Sequence, residues 1–409
     1  MNLFRRPLHI LAAATLVFGT SVIAQQTPPK PVPNPPPAPA AVAVPVPPPP
    51  DVDAKTWVLM DYATGQILAS KGPDERVVPA SITKVMTDYV VSAQIASGKI
   101  HLTDPVTISE HAWRAGGAGT DGSTSFLKLN SQVPLKDLLY GMIIQSGNDA
   151  AIALAEHTAG SEDTFANLMN AYAKQLGMVN THFANASGYP VDNHYTTAHD
   201  IAILTRALIH DYPDDYAISA IKEFEWNGIK QGNRNTLLWR DPSVDGVKTG
   251  HTAEAGFCLD ASAKHGDQRM IAIVMGSSSE KGRADAAMAL INYGFRFFET
   301  HKLYEAGKAL TSPRLWKGEE DQLPLGVTQD VLVTVKTGDY DKLKATMDIP
   351  STLIAPFKKG QQVGTLHITQ DGQTVMDVPL VALNDAPQGG FFKRLWDTIL
   401  LWFHGSGKK

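Results

Sequence analysis

The chain has 409 residues and a formal net charge of -5, with 43% hydrophobic and 19% charged residues. That balance suits folded domains with sizeable cores and leaves no electrostatic footprint for a nucleic-acid partner. Cys258 is the only cysteine, which excludes an internal disulfide, and its apolar neighbours in Gly256-Phe257-Cys258-Leu259 predict a buried, unreactive residue.

In chain order, Arg5 and Arg6 precede the largely apolar run Leu8 to Ala24, with Val22-Ile23-Ala24 ahead of Gln25. Residues 1–24 therefore read as a signal peptide, the run being marginally short for an uncleaved membrane span. Residues 25–50, dominated by Pro, Ala and Val, predict an extended polyproline tether that cannot pack a core. Residues 51–300 mix Val/Ile-rich stretches such as Thr56 to Met60 and Met270 to Met275 with Ala-rich helical stretches such as Asp149 to Ala159, which predicts an α/β domain. Over residues 301–386 the pattern changes to short alternating runs, Val331 to Val335 and Val363 to Ile368, followed by Gly-Asp and Asp-Gly turn signals, which predicts a small all-β domain. No repeat with a period of about 20–50 residues is evident.

Residues 387–409 end the chain with a different signature. Phe392, Leu395, Trp396, Ile399 and Phe403 share one helical face, while Lys393, Arg394 and Asp397 lie elsewhere. About 13 residues are too few to span a bilayer. The aromatic content, with Lys408 and Lys409 beyond, predicts an amphipathic helix lying in a membrane interface, set apart by a hinge at Gly389-Gly390. The competing expectation is a helix docked on the β-rich domain or on another subunit.

Three short motifs carry the chemistry: Ser81-Ile82-Thr83-Lys84, then Ser146-Gly147-Asn148, then Lys248-Thr249-Gly250. Each is weak alone, because S-x-x-K recurs at Ser125/Lys128, Ser219/Lys222, Ser278/Lys281 and Ser406/Lys409, and a second K-T-G stands at Lys336-Thr337-Gly338. Context separates them. Ser81 opens an apolar helical segment, in whose first turn unpaired N–H groups and the positive dipole end would face the seryl oxygen, with Lys84 three residues on and on the same face. The rival serines sit in Gly/Ser-rich, loop-like or terminal stretches, or lack a comparable helix, and the second K-T-G ends a predicted strand where turn chemistry explains it.

From about Thr56 onward the chain resembles the low-molecular-mass penicillin-binding proteins that act as D-alanyl-D-alanine carboxypeptidases, of the penicillin-binding protein 5/6 type. The resemblance extends through Leu138-Leu139-Tyr140-Gly141-Met142, Gln145 to Ala150, Asn233-Arg234-Asn235, Val244 to Thr252, Lys281-Gly282-Arg283 and Asn292 to Phe298. It implies an α/β (α+β) serine DD-peptidase, β-lactamase-like catalytic domain followed by the small β-rich domain and the C-terminal helix.

The resemblance also implies roles. Ser81 would form the acyl-enzyme and Lys84 would take its proton, a lysine fit for that task if burial and a nearby cation, for which Lys248 is the candidate, lower its pKa. Ser146 would relay a proton to the leaving amine, and Asn148 would bind the substrate amide. Lys248 and Thr249 would hold the terminal carboxylate, Gly250 would let the strand approach closely, and the backbone N–H groups of Ser81 and His251 would form an oxyanion hole. Arg234 and Arg283 match basic positions near the site, with a purely structural arginine the competing reading of each. The histidines show no metal-binding spacing, so neither metal nor cofactor is expected. Expected partners are peptidoglycan stem peptides, β-lactam antibiotics and a membrane surface, in a periplasmic enzyme attached peripherally to the inner membrane. A β-lactamase of class A would need an additional glutamate in an E-x-x-L-N setting, and none stands between Ser146 and Lys248. DD-endopeptidase or transpeptidase activity and a non-catalytic wall-binding protein are the remaining alternatives, the last opposed by the intact Ser81, Lys84 and Ser146.

Overall fold

The computed structural model describes residues 46–405 except 119 and 121, so the expected signal peptide, most of the tether, and Lys408 and Lys409 lie outside the described residues. The described chain divides into two compact bodies, residues 46–306 with 329–343 and residues 307–328 with 344–405.

The first body is built on five antiparallel strands: β1 (Thr56–Asp61), β2 (Ile67–Lys71), β3 (Val244–Thr252), β4 (Gly256–His265) and β5 (Gln268–Ser277). Their spatial order is β2-β1-β5-β4-β3. Alternate residues of each strand face opposite sides, and both sides are covered. That is why β5 reads as the unbroken apolar run Met270 to Met275. Trp57, Leu59, Leu259 and Val274 pack with Leu290 and Ile291 on one face, whereas Val58, Met60, Ile271 and Ile273 join the helical layer on the other. Cys258 is buried on β4, where loss of solvent pushes its thiol up to about 11.

The helices are α1 (Lys84–Ala96), α2 (Leu135–Ile143), α3 (Asn148–Ala159), α4 (Glu162–Leu176), α5 (Ala198–Asp211) and α6 (Glu280–Phe297). Every residue of α1 from Lys84 to Gln94 is buried, so it is a central helix with no solvent face. Ser161 and Ser279 cap α4 and α6 by accepting from the Thr164 and Gly282 N–H groups at 3.1 and 3.0 Å. The mixed α/β body expected upstream of residue 300 is therefore present.

A two-stranded ribbon, Phe298–Tyr304 against Val331–Lys336, belongs to the same body. Asp61 at the end of β1 accepts from Thr300 and Thr334 hydroxyls at 2.8 and 3.0 Å and so fastens it. The second K-T-G ends this ribbon. Lys336 is exposed, its carbonyl accepts from the Asp339 N–H at 2.9 Å, and Gly338 takes φ +86°, a turn conformation that favours glycine.

The second body holds a five-stranded sheet in the order Ala309–Thr311, Leu325–Gly326, Gln373–Ala382, Gln362–Gln370, Leu343–Asp348, around a core that includes Leu315, Leu323, Leu353 and Ala382. Helix α7 (Phe391–Gly405) is docked on it by its polar stripe. Asp397 is 1% exposed, its carboxylate accepts from the Lys317 N–H at 2.6 Å, and Arg314 and Lys393 approach it at 3.8 and 3.5 Å. Lys393 also pairs with Asp321. The apolar stripe points to solvent, with Phe392, Trp396 and Trp402 at 83, 61 and 71% exposure. The helix is thus both amphipathic and docked, which corrects the expectation of a separate hinged element. Gly389 is no free hinge either: its N–H donates to the Lys317 carbonyl at 2.9 Å, and a Cβ there would lie 2.6 Å from the Gly318 oxygen. No helix among the described residues is long and apolar enough to cross a membrane.

Because a buried charge-assisted bond holds α7, Asp397→Ala is expected to free it. A contribution of about 1.5–3 kcal/mol corresponds to hydrogen exchange at the Lys317 amide roughly 10- to 150-fold faster, with the sheet amides of Gln373–Ala382 unaffected. Unchanged exchange at Lys317 would show that Asp397 does not hold the helix.

Candidate active site

Ser81 lies in a single 3-10 turn, Ala80–Thr83, that runs directly into α1, not in the first α-turn as the sequence predicts. The tighter winding eclipses residues three apart and sets Lys84 over Ser81. Ala80 enters the turn at φ +47°, an uncommon conformation for a residue with a Cβ, and Gly188 accommodates it: a Cβ on Gly188 would lie 1.8 Å from the Ala80 oxygen.

Lys84 is 1% exposed and makes three contacts through Nζ: Ser81 Oγ at 2.9 Å, Asn148 Oδ1 at 2.7 Å and the Ser187 carbonyl at 2.6 Å. Burial is the main force on its titration. With the Arg234 charge it outweighs the carboxylates of Asp149 and Glu162, and the amine is brought down to about 7. Two of the three partners can only accept. A neutral amine has two hydrogens and one lone pair, so the Asn148 and Ser187 oxygens take both hydrogens and leave the lone pair for the Ser81 hydroxyl proton. This is the arrangement a general base requires.

Asn148 begins α3, and its neighbour Asp149 anchors the 123–127 segment by accepting from the Ser125 and Leu127 N–H groups at 2.8 and 3.1 Å and from the Thr124 hydroxyl at 2.8 Å. Ser146 precedes them at φ +70° and is buried to 2% exposure, a second strained non-glycine residue at the site.

The third motif lies on β3. Gly250 passes so close to the Ala80–Thr83 turn that a Cβ would meet the Pro79 oxygen at 3.1 Å and the Ile82 nitrogen at 3.2 Å, the close approach the sequence predicts. Lys248 is buried, with Nζ donating to the Thr249 carbonyl at 3.1 Å. Its pKa falls well below the ordinary lysine value, first through burial, then through the Lys84, Arg234 and Arg283 charges. Lys84 and Lys248 repel one another as like charges, and Arg234, an exposed residue at the cleft wall, is a further cation that lowers Lys84. Arg283 is buried and donates to the Gly250 carbonyl at 3.1 Å and to Glu280 at 3.0 Å. The His251 ring is exposed and stacks on Phe257 at 4.0 Å.

These motifs meet at one cleft of about 620 Å³, whose wall includes Ser81, Ser146, Asn148, Thr249, His251 and Arg234. Lys84 and Lys248 sit behind that wall. None of the described rival serines lines it: Ser278 is spent on Asp53 through a 2.6 Å bond, the Ser219 carbonyl accepts from Asn233, and the Ser125 hydroxyl is buried. Among the described residues no group of three or more His, Cys, Asp or Glu is placed to hold a metal ion.

Three participants escape the sequence reading. The Ser187 carbonyl belongs to a compact turn in which Asn185 Oδ1 accepts from the Ser187 and Gly188 N–H groups at 3.2 and 2.7 Å. Asn-x-Ser-Gly is a readable turn signal, but nothing in it announces a lysine partner. His194 is buried, accepts from the Ala184 N–H at 3.3 Å through Nδ1, and so donates to Thr83 Oγ1 at 2.8 Å from Nε2. Burial, with the His182 and Lys84 charges, pulls it down to about 4 and keeps it neutral. Glu162 accepts from the Ala186 N–H at 3.0 Å and pairs with His111 at 3.0 Å.

Residues 42–279 match the D-alanyl-D-alanine carboxypeptidase family, peptidase S11, and residues 298–388 match the C-terminal domain of penicillin-binding protein 5. The chain is 45% identical to the D-alanyl-D-alanine carboxypeptidase DacC of Escherichia coli K12, over 86% of this chain and 89% of that protein. Its fold is similar to penicillin-binding protein 5 from Haemophilus influenzae, with a TM-score of 0.79 at 43% identity over 83% of this chain and 99% of that one. It is also similar to penicillin-binding protein 6B from Escherichia coli, with a TM-score of 0.69 at 37% identity over 82% and 98% of the two chains. On the motifs, the cleft and these relatives together, the chain belongs to the D-alanyl-D-alanine carboxypeptidase family, peptidase S11, and carries the penicillin-binding protein 5 C-terminal domain.

Proposed function

We propose that this chain is a serine D-alanyl-D-alanine carboxypeptidase that removes the terminal D-alanine from peptidoglycan stem peptides through an acyl-enzyme on Ser81, and that β-lactams acylate the same hydroxyl. The observation that carries the assignment is the contact set of Lys84: a buried amine near neutrality, with both hydrogens committed to acceptors and Ser81 Oγ 2.9 Å away.

In this reading Lys84 takes the Ser81 proton as Oγ attacks the carbonyl carbon of the scissile amide. The Ser81 and His251 N–H groups receive the oxyanion, an interaction formed only as the charge develops. Ser146 passes a proton to the departing amine, and water then hydrolyses the ester. Asn148 orients the substrate amide. Thr249 and Lys248 hold the terminal carboxylate, with Arg234 adding positive potential at the mouth of the cleft. Glu162 bears on the β-lactamase alternative: it is a glutamate near the base, yet its oxygens are engaged by the Ala186 N–H and His111, so it is not free to activate a deacylating water.

We further propose that the enzyme is exported and rests on a membrane surface through α7. The outward stripe of Phe392, Leu395, Trp396, Ile399, Trp402 and Phe403 offers the apolar face, and the exposed Arg394 suits an anionic lipid surface.

Ser81→Ala is expected to abolish both release of D-alanine from a pentapeptide ending in D-Ala-D-Ala and the penicilloyl adduct seen by mass spectrometry, with the circular dichroism spectrum unchanged. An adduct persisting on the variant would remove Ser81 as nucleophile. For the membrane reading, Trp396→Asp with Trp402→Asp leaves the Asp397 contacts in place and is expected to stop the protein floating with anionic vesicles while peptide hydrolysis continues. Equal flotation of the double variant and the wild type would dismiss α7 as the attachment.

A further inference from the structure

The lone pair of Lys84 points at Ser81 only because two other acceptors consume its hydrogens, and one of these is a main-chain carbonyl with no side chain to hold it in place. That carbonyl, on Ser187, belongs to the buried turn 185–188, so whatever fixes the turn fixes the base. Two bonds tie its Ala186 peptide to neighbouring helices. The Ala186 carbonyl accepts from the Thr87 hydroxyl of α1 at 2.6 Å, and the Ala186 N–H donates to Glu162 Oε1 at 3.0 Å. Glu162 is the first residue of α4, with a side chain only 14% exposed, and its other oxygen is held by His111 Nε2 at 3.0 Å. A carboxylate held at both oxygens is a rigid anchor.

We propose that Glu162 is a positioning residue for the acylation step, which rests on the reading of Lys84 as the base of Ser81: it anchors the 185–188 turn whose Ser187 carbonyl occupies one hydrogen of Lys84. Without that anchor the carbonyl drifts, the freed N–H turns to Ser81 Oγ, and the lone pair no longer faces the hydroxyl proton. The Glu162 charge has a second, separable effect. It favours the protonated amine, so removing it moves the onset of acylation to lower pH. The other groups acting on or felt by Lys84 are Asp149 from α3, Arg234 from the loop before Leu237, Lys248 from β3 and His194 from the loop before α5, and His111 faces Glu162 itself. All stay constant in the variants below.

The test is the pH profile of the second-order rate of benzylpenicillin acylation, followed by stopped flow, for the wild type, Glu162→Gln and Glu162→Ala. Glutamine keeps an oxygen for the Ala186 N–H and loses the charge, so its high-pH plateau should stay within about twofold of wild type while its acid limb moves down by about half a pH unit. Alanine loses both, so its acid limb should move likewise and its plateau should fall about tenfold or more, within the range of a disabled base. Wild-type plateaus and acid limbs in both variants would overturn the proposal. So would equal plateau losses in both, which would make the effect one of charge or folding alone. Failure of the underlying assignment is distinguishable, because the wild type itself would then show no adduct on Ser81.

Discussion

Withdrawal of one amine from water is the constraint on which the site depends. A lysine in solvent is protonated at neutral pH and cannot accept a proton from serine. Lys84 reaches about 7 because α1, β3 and the 185–188 turn enclose it. Complete burial would be ruinous for an amine without partners, and the fold supplies three at 2.6–2.9 Å. The position of Gly250 against Pro79 and Ile82, and of Gly188 against Ala80, follows from the same need, since each lets backbone close over the Ala80–Thr83 turn where any Cβ would hold it open.

The cost of this closure appears as local strain. Ala80 and Ser146, one beside Ser81 and the other a motif residue, both sit at positive φ without being glycine. Each is over-determined by its surroundings: Ala80 by the turn into α1 and Ser146 by the start of α3, whose Asp149 gathers three donors from the 123–127 segment. The cations are layered in the same way. Lys248 lies buried, while Arg234 stands exposed at the wall and lowers both lysines, so positive potential faces the mouth of the cleft.

Much of this is legible in the sequence. The S-x-x-K spacing fixes Lys84 over Ser81 whether the turn is α or 3-10, since residues three apart meet in both, and the covered sheet announced itself in Met270 to Met275. What was not legible is carried by backbone or by distance. The Ser187 carbonyl has no side-chain signature, and Glu162 touches the turn that carries it only through the Ala186 N–H. Arg234 acts on both lysines from the cleft wall, and motif membership says nothing about such an exposed partner. For α7 the pattern gave the apolar face correctly but not the docked one: globular helices bury the apolar stripe, and here Asp397 docks the polar one.

The central claim is that Lys84 is the neutral base, and direct titration of its amine tests it most closely. In protein labelled with 13C at lysine Cε, with the Lys84 signal assigned by its absence in Lys84→Met, the shift should follow a single proton release. The folded value lies below the ordinary lysine value of 10.5, so the proton is lost as pH rises through about 7 and the amine is largely neutral above it. A Lys84 signal that stays in the protonated form until pH is well above 9, with acylation already at its plateau near neutrality, would contradict the account.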